Sequence, residues 1–513
     1  MQRNLLLSIV SALLLGLSFA PLPLGFLAYC SLIPFLILLK DLSFKESFKW
    51  GYITGIFISL FTIYWIVFPT SLGVIAVILV HALYYALFAI FYTQISKTSD
   101  NLALFAVPFV WTAIEYGKSL GELGFPWVSL GYTQSYYTAF IQYAEYTSVY
   151  GVSFWICVLN VGLYSIYVYR KNKKIAFTTA IFLIILFLLP LSVNKEVQKG
   201  NSGKVKVALV QGNIDPYQKW EKENRERSFF LYDSLTKSIG HQQVDLIIWP
   251  ETATPVYLLR SRTKLPWVTG LSDSLNTPIF TGTPDYEWID KKNYKTFNSI
   301  TLIDKKQGPF EVYSKMKLVP FGERIPYQDY LFFIKLILSK FNLGEGNFSP
   351  GDAIKLFRLS MRQNPNKTFR FGGVICFESI FPEFVGDVVK RGAEFIVIVT
   401  NDGWYSRTGA PYQHAQMAVF RAIENRTPIA RCANTGISMT IDQNGAILKQ
   451  SGIFEEDVII DEFETRTKLT YFTKYGHVFS KIVSVIAVIL LIFAYIFHKY
   501  ILNDRRSSVE DKS

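Results

Sequence analysis

Two stretches of this chain, residues 175–193 (IAFTTAIFLIILFLLPLSV) and 478–498 (VFSKIVSVIAVILLIFAYIFH), are too long and too evenly apolar to pack inside a water-soluble domain, and they constrain the fold more than any other feature. About 20 apolar residues carry a helix across the hydrocarbon of a bilayer, and a helix that is apolar on every side leaves no face for water. Six further runs, near residues 5–21, 24–40, 50–70, 73–95, 102–117 and 151–169, extend the pattern to about eight predicted spans. The composition agrees: half of the 513 residues are hydrophobic, 42 are Phe and 30 Tyr, and 18% are charged. Such a chain is a polytopic α-helical membrane protein that also carries a sizeable polar region, here residues 195–475.

Loop charge predicts the orientation. Lys40, Lys45 and Lys49 follow the second run, Arg170, Lys171, Lys173 and Lys174 the sixth, and Lys499, Arg505 and Arg506 the last. Lys- and Arg-rich loops stay in the cytoplasm, so residues 195–475 are expected outside it. The expected organisation is a seven-helix transmembrane domain over 1–194, an extracytoplasmic domain over 195–475, a C-terminal transmembrane helix over 476–500 and a cytoplasmic tail over 501–513. The formal charge of +12 does not point to nucleic acid, because the basic residues lie beside apolar runs and form no long tract in the polar region; anionic lipid headgroups are the expected partner. The first 20 residues have the look of a cleavable signal peptide, but Pro21 directly after Ala20 opposes cleavage and a second apolar run follows at once.

Within 195–475, the runs VKVALVQGNI, DLIIWPET, TPIFTGT, FNSITLID, FRFGGVICF and EFIVIVTNDGW read as strands, and 222–239, 380–390 and 410–426 as helices. Continuous apolar strands belong in sheets covered on both faces, which gives an α/β layered domain. Of the four cysteines, Cys30 and Cys157 fall inside predicted spans; Cys376 and Cys432 share the outer region and could pair there, but Cys376 ends an apolar strand, where nucleophiles are commonly presented, and Cys432 reads as a buried thiol.

Three segments carry chemistry. WPETATP, YSKMKLVPFGE and GGVICFES place Glu251, Lys315 and Cys376 in order within the polar region. A carboxylate, an amine and a thiol are the parts needed for acyl transfer through a thioester, with Glu251 as general base, Lys315 beside the oxyanion and Cys376 as nucleophile. Each has an ordinary alternative as a turn carboxylate, a solvated lysine or a packed core thiol.

These segments, together with QGNIDPYQKW (211–220), LVPFGERIP (318–326) and the stretch 401–438, resemble the carbon-nitrogen hydrolase, or nitrilase, superfamily. The stretch GFPWVSLGY at 124–132, preceded by Glu115, extends the resemblance into the membrane part, where it is similar to the apolipoprotein N-acyltransferase family. The resemblance implies a nitrilase-like αββα sandwich on the outer side of a bacterial inner membrane. It also implies an acyltransferase that needs neither metal nor organic cofactor, with a phospholipid donor such as phosphatidylethanolamine and a diacylglyceryl-lipoprotein acceptor. It points to Glu323 and Glu378 as supporting carboxylates, each with a surface salt bridge as its alternative, and to Trp220 near the acyl site. Phe377 stands where that family often has Tyr, so no hydroxyl is required there. The segment 330–341 (YLFFIKLILSKF) is apolar but too short to cross, and reads either as an interfacial arm over the site or as a buried helix. Two rival classes are a membrane-anchored amidase or nitrilase, which would need one span rather than eight, and a non-catalytic transport or lipid-binding protein, in which the three reactive positions would have no reason to be filled together.

Overall fold

The computed structural model describes residues 1–71, 73–193, 203–304, 310–330, 348–362, 364, 366–466 and 468–510, with side chains through 500. The 330–341 arm falls outside the described residues except for Tyr330. The apolar runs become helices α1 (Gln2–Leu17), α2 (Ile33–Leu39), α3 (Phe44–Thr62), α4 (Gly73–Ser96), α5 (Asp100–Gly117), α6 (Ala144–Val168) and α7 (Lys173–Ser192), and a C-terminal helix, Val478–Glu510.

The expectation of eight spans is thereby reduced. Among the described residues four helices are long and apolar enough to cross a membrane: Gly73–Ser96, Ala144–Val168, Lys173–Ser192 and Val478–Tyr500. The 16 residues of α1 reach about 24 Å, short of the roughly 30 Å of hydrocarbon. The run at 24–40 is broken into a 3₁₀ turn, Gly25–Tyr29, and the seven-residue α2. The first turns of α3 carry Lys45, Glu46 and Lys49. Lipid-facing side chains such as Phe177, Ile184, Val485 and Ile489 are each more than half exposed, as a bilayer-embedded surface requires. Inside the bundle, α3 meets α4 through small residues: a Cβ on Gly51 would lie 2.6 Å from Ala89 Cβ, and one on Gly55 2.7 Å from Ala82 Cα. Only glycine lets the two backbones approach so closely.

The polar region folds into two six-stranded sheets. Strands β1 (Lys204–Gln211), β2 (Leu246–Ile248), β3 (Ile279–Trp288), β4 (Tyr294–Ile303) and β5 (Val312–Ser314) join β12 (Asp457–Glu464) in the order β12-β1-β2-β3-β4-β5. Strands β6 (Leu356–Ser360), β7 (Thr368–Ile375), β8 (Phe395–Thr400), β9 (Ile429–Ala433), β10 (Met439–Ile441) and β11 (Ile447–Gln450) form the second sheet, ordered β11-β10-β9-β8-β7-β6. Each has a parallel centre, β1-β2-β3 and β7-β8-β9, with antiparallel strands outside it. The sheets face each other across a Phe-rich core, with Phe280 of β3 4.9 Å from Phe357 and 5.1 Å from Phe371, ring centre to ring centre. Helices Lys222–Lys237 and Lys264–Leu275 contribute Phe229, Tyr232, Val268 and Leu271 to a core with the first sheet's outer face. The second sheet is covered by Pro382–Lys390 and Ala410–Asn425, which completes four layers, α-β-β-α.

The helix Ala410–Asn425 is buried almost throughout, because one side meets the sandwich and the other meets α6 and the loop after α5. Trp127 Nε1 donates to Gln413 Oε1 at 2.8 Å, and Arg421 donates to the Tyr132 hydroxyl at 3.1 Å. In α6 the backbone breaks at Ser148 (φ 60°), and the Val149 N–H and Ser148 hydroxyl both donate to Glu424, at 2.9 and 2.7 Å. Glu424 is paired in turn with Arg421 at 2.9 Å, both fully buried. The opposite helix ends gather far from the sandwich, where Lys97 lies over the Phe44 ring, Tyr169 donates to Asn101 and Thr98 donates to the Ala494 carbonyl.

Removing one partner of a buried ion pair leaves an uncompensated charge, so Glu424→Ala should cost about 3–5 kcal/mol and the paired change Arg421→Met/Glu424→Met distinctly less. Thermal unfolding in detergent micelles measures the difference; a single variant no worse than the double would show that this pair does not hold the seam.

Candidate active site

Glu251, Lys315 and Cys376 each follow the end of a strand, β2, β5 and β7 respectively, so the topology gathers them at one end of the sandwich. The Glu251 turn runs so close to β3 that a Cβ on Gly282 would lie 2.4 Å from Thr252 N and 2.7 Å from Glu251 Cα. Cys376 opens a 3₁₀ turn, Cys376–Ile380, with φ 48°, a left-handed conformation that a non-glycine residue adopts at a cost.

All three side chains are buried. Lys315 Nζ lies 2.8 Å from Glu323 Oε1 and 3.4 Å from Glu251 Oε1. Asn298 Nδ2 donates to both carboxylates, at 2.8 Å to Glu251 and 3.2 Å to Glu323. Burial works against the lysine's charge, and Glu323 and then Glu251 outweigh it, holding the ammonium above the ordinary lysine range. Burial, and after it the Glu251 carboxylate, pushes the Cys376 thiol well up, with Lys315 pulling it down. Burial therefore favours the neutral thiol at Cys376.

A second buried layer fixes the cysteine. Ser379 Oγ donates to the Cys376 carbonyl at 2.7 Å, and His414 Nε2 lies 2.9 Å from that hydroxyl and 3.3 Å from the same carbonyl. His414 Nδ1 meets Asp402 at 2.8 Å, and Arg431 meets the other Asp402 oxygen at 2.7 Å. Burial opposes ionisation of Asp402, but Arg431 and His414 overcome it and hold the carboxyl well below the usual range. On the other flank Glu378 is fully buried and accepts from Tyr313 at 2.7 Å, Met316 N at 2.6 Å, Lys317 N at 3.2 Å and Ile375 N at 2.8 Å, so it ties the Lys315 loop to the residue before the nucleophile.

The carbon-nitrogen hydrolase family model matches residues 206–468, and the model of the apolipoprotein N-acyltransferase N-terminal domain matches residues 11–162. Among curated proteins the chain is similar to an apolipoprotein N-acyltransferase of Chlorobaculum tepidum, with 30% identity over 95% of this chain and 97% of that protein. It is likewise similar to one of Geobacter metallireducens, with 33% identity over 93% of each. The chain belongs to the apolipoprotein N-acyltransferase family. It is thus an acyltransferase enzyme with a carbon-nitrogen hydrolase domain. Among solved structures it is similar to Nit3 of Saccharomyces cerevisiae, a nitrilase-superfamily protein, with a TM-score of 0.37 and 18% identity over 51% of this chain and 90% of that one.

In this family member the membrane part builds one wall of the site. Glu115 in α5 accepts from Trp111 at 2.8 Å and from Leu130 N at 2.7 Å, and Lys118 donates to the Val128 carbonyl at 3.1 Å, which fixes the GFPWVSLGY stretch. That stretch carries Trp127 against His414 (5.2 Å between rings) and Trp65 (4.7 Å), and Phe125 against Phe377 (6.3 Å). Phe377 packs there as a ring alone. Trp220, expected near the acyl site, is 46% exposed. Its neighbour Lys219 is the one turned inward: it is 5% exposed, with Nζ 3.4 Å from the Thr252 carbonyl, and burial lowers it to about 8 while Glu251 opposes the shift. The Cys432 thiol is unpaired and donates to the Ile248 carbonyl at 3.2 Å. Sequence reasoning missed Asn298, Lys219, Asp402, His414 and Arg431; an amide among the Phe, Ile and Leu of the strand FNSITLID was the available signal for Asn298.

Burial raises Glu378 from 4.5 to about 7, against the pull of its four donors. Between those values the folded protein holds a proton that the unfolded chain has released, so this group's contribution to stability falls as pH rises through about 4.5–7. The drop in Tm from pH 5 to pH 8 should therefore be smaller in Glu378→Gln than in wild type; equal drops would contradict the assignment.

Proposed function

We propose that the enzyme moves a fatty acyl chain from the sn-1 ester of a phospholipid, phosphatidylethanolamine being the expected donor, to the α-amino group of the N-terminal S-diacylglyceryl-cysteine of an apolipoprotein. The observation that carries the reading is the buried Glu251–Lys315–Cys376 group, walled by a loop of the membrane part. Family membership supports lipid and lipoprotein as the partners.

In the first half-reaction Cys376 Sγ attacks the ester carbonyl as Glu251 takes the thiol proton. The oxyanion forms beside Lys315, whose two carboxylate neighbours keep it charged and in place. Collapse breaks the ester C–O bond, the departing oxygen takes the proton from Glu251, and a lysophospholipid leaves a thioacyl enzyme. In the second half the lipoprotein amine attacks the thioester, Glu251 accepts its proton, and collapse expels the Cys376 sulfur, which recovers that proton. An ester has become an amide, so the transfer runs downhill without a cofactor. Aromatic packing around Cys376 by Trp127, Phe125 and Phe377 supports exclusion of water, which would otherwise release free fatty acid.

The orientation is part of the same reading. The helix ends near Lys40–Lys49, Lys97, Arg170 and Lys499 lie away from the sandwich, which supports a cytoplasmic position for them and a periplasmic one for the catalytic region, at the bacterial inner membrane. We read the eight apolar runs together as one bundle, the four long helices crossing and the shorter or more polar ones packed within it, with 1–194 and 476–500 as the membrane part, 195–475 as the catalytic domain and 501–513 as the cytoplasmic tail.

Loss of an oxyanion partner costs about 10²–10³ in kcat where measured, so Lys315→Met should fall by that factor while binding to phosphatidylethanolamine vesicles is unchanged. Transfer to a diacylglyceryl lipopeptide measures it. Release of fatty acid as fast without the lipopeptide as with it would make the enzyme a hydrolase and refute the transfer.

A further inference from the structure

A cavity of about 360 Å³ opens beside the site, between the segment joining α3 to α4 and four loops of the sandwich. None of Glu251, Lys315 and Cys376 lines it. Its walls include Phe68, Asp215, Tyr217, Trp404, Thr435 and Phe454. Tyr217 and Trp404 form an edge-to-face corner with ring centres 4.9 Å apart, and the Tyr217 hydroxyl donates to the Phe68 carbonyl at 3.3 Å, tying that corner to the membrane end of α3. Asp215 Oδ1 accepts from Tyr217 N at 2.9 Å. Arg407 stacks over Phe454 at 4.7 Å and makes no ion pair among the described residues.

Two features mark the cavity as a binding site rather than a packing gap. Three of its lining residues, Asn213, Ser406 and Phe454, hold left-handed φ of 49°, 53° and 57°. Strain of this kind survives only where surrounding structure enforces it, and it clusters at ligand sites. Thr435, 2% exposed, presents Oγ1 with no hydrogen-bond partner, and buried polar atoms are normally satisfied.

The lining residues, with Arg407 stacked on the lining Phe454, complement a zwitterion. Aromatic faces with a single carboxylate favour an ammonium, and a guanidinium fixed on a ring favours a phosphate. The cavity also touches Phe68, at the end of a membrane helix, and Trp404, next to Tyr405, whose ring lies 5.8 Å from Trp127 in the wall of the active site. We propose that this cavity binds the headgroup of the donor phospholipid, with Asp215, Tyr217 and Trp404 around its ammonium and Arg407 at its phosphate. The assignment rests on the acyl-transfer reading. The acceptor's α-amine is a less fitting occupant, because it must reach the thioester, and the cavity excludes the three reactive residues.

The test compares donors. Wild type and Asp215→Asn, which keeps the oxygen that caps Tyr217 N, are assayed for transfer to a diacylglyceryl lipopeptide from vesicles of phosphatidylethanolamine and of phosphatidylglycerol, which has phosphate but no ammonium. Asp215→Asn should slow transfer from phosphatidylethanolamine about tenfold and leave phosphatidylglycerol unchanged. Tyr217→Leu, at a side chain 59% exposed, should show the same selectivity and guards against misfolding of the first variant. Equal slowing with both donors, no slowing with either, or a rise in lipopeptide KM alone would overturn the headgroup assignment. Failure of wild type to transfer from either donor would overturn the acyl-transfer reading and the cavity's role with it.

Discussion

The structure depends on the seating of the sandwich upon the membrane helices through one buried helix, Ala410–Asn425. Its sandwich side supplies His414 to the Cys376 carbonyl. Its membrane side supplies Gln413 to Trp127, and Arg421 and Glu424 to Tyr132 and the break in α6. A helix with Arg421 and Glu424 on its outer face would ordinarily turn that face to water; here the bundle has taken the place of water, and the two charges are matched to each other. The Glu251–Lys315–Cys376 cluster and the helical bundle are therefore joined, and Phe125 reaches Phe377, the neighbour of Cys376, because the two are locked together.

Within the site the electrostatics follow from burial. Two carboxylates and an amide surround one ammonium, so Lys315 stays charged in a place where an isolated lysine would not. The thiol is kept protonated by the same burial and by Glu251. In the proposed transfer Glu251 receives that proton when a carbonyl arrives, so deprotonation is coupled to attack.

Much of this was legible in the sequence, for definite reasons. Of the strands read correctly, β2 and β8 are buried on both faces and are continuous apolar runs, and β1, β3, β4 and β7 carry their apolar residues where the strand is buried. The four sheet edges, β12, β5, β11 and β6, went unread because edges need no such run: β12 alternates carboxylates with Val, Ile and Phe, and β11 carries Lys449. β9 and β10 are central but short, and β9 contains the buried Arg431, which reads as a surface residue until Asp402 is brought to it by the fold. Apolar length overstated the number of clear spans, because α1 and α2 are apolar yet short, and α3 begins with charged turns. Glu251, Lys315 and Cys376, which the fold brings together, stand in three local motifs, whereas Asn298, Asp402 and His414 reach the cluster across separations that no periodicity encodes. Trp220 and Lys219 show the limit at its finest: adjacent in sequence, one is half exposed and the other buried, and the chain alone does not say which turns inward.

Intact-protein mass spectrometry addresses the central claim most directly. Purified wild type and Cys376→Ser would each be incubated with phosphatidylethanolamine and then given a diacylglyceryl lipopeptide. The account predicts a fatty-acyl mass gain on wild type alone that maps to Cys376, persists until the lipopeptide is added and then moves to its amine. No adduct on wild type, or one that decays to free fatty acid regardless of the lipopeptide, would contradict it.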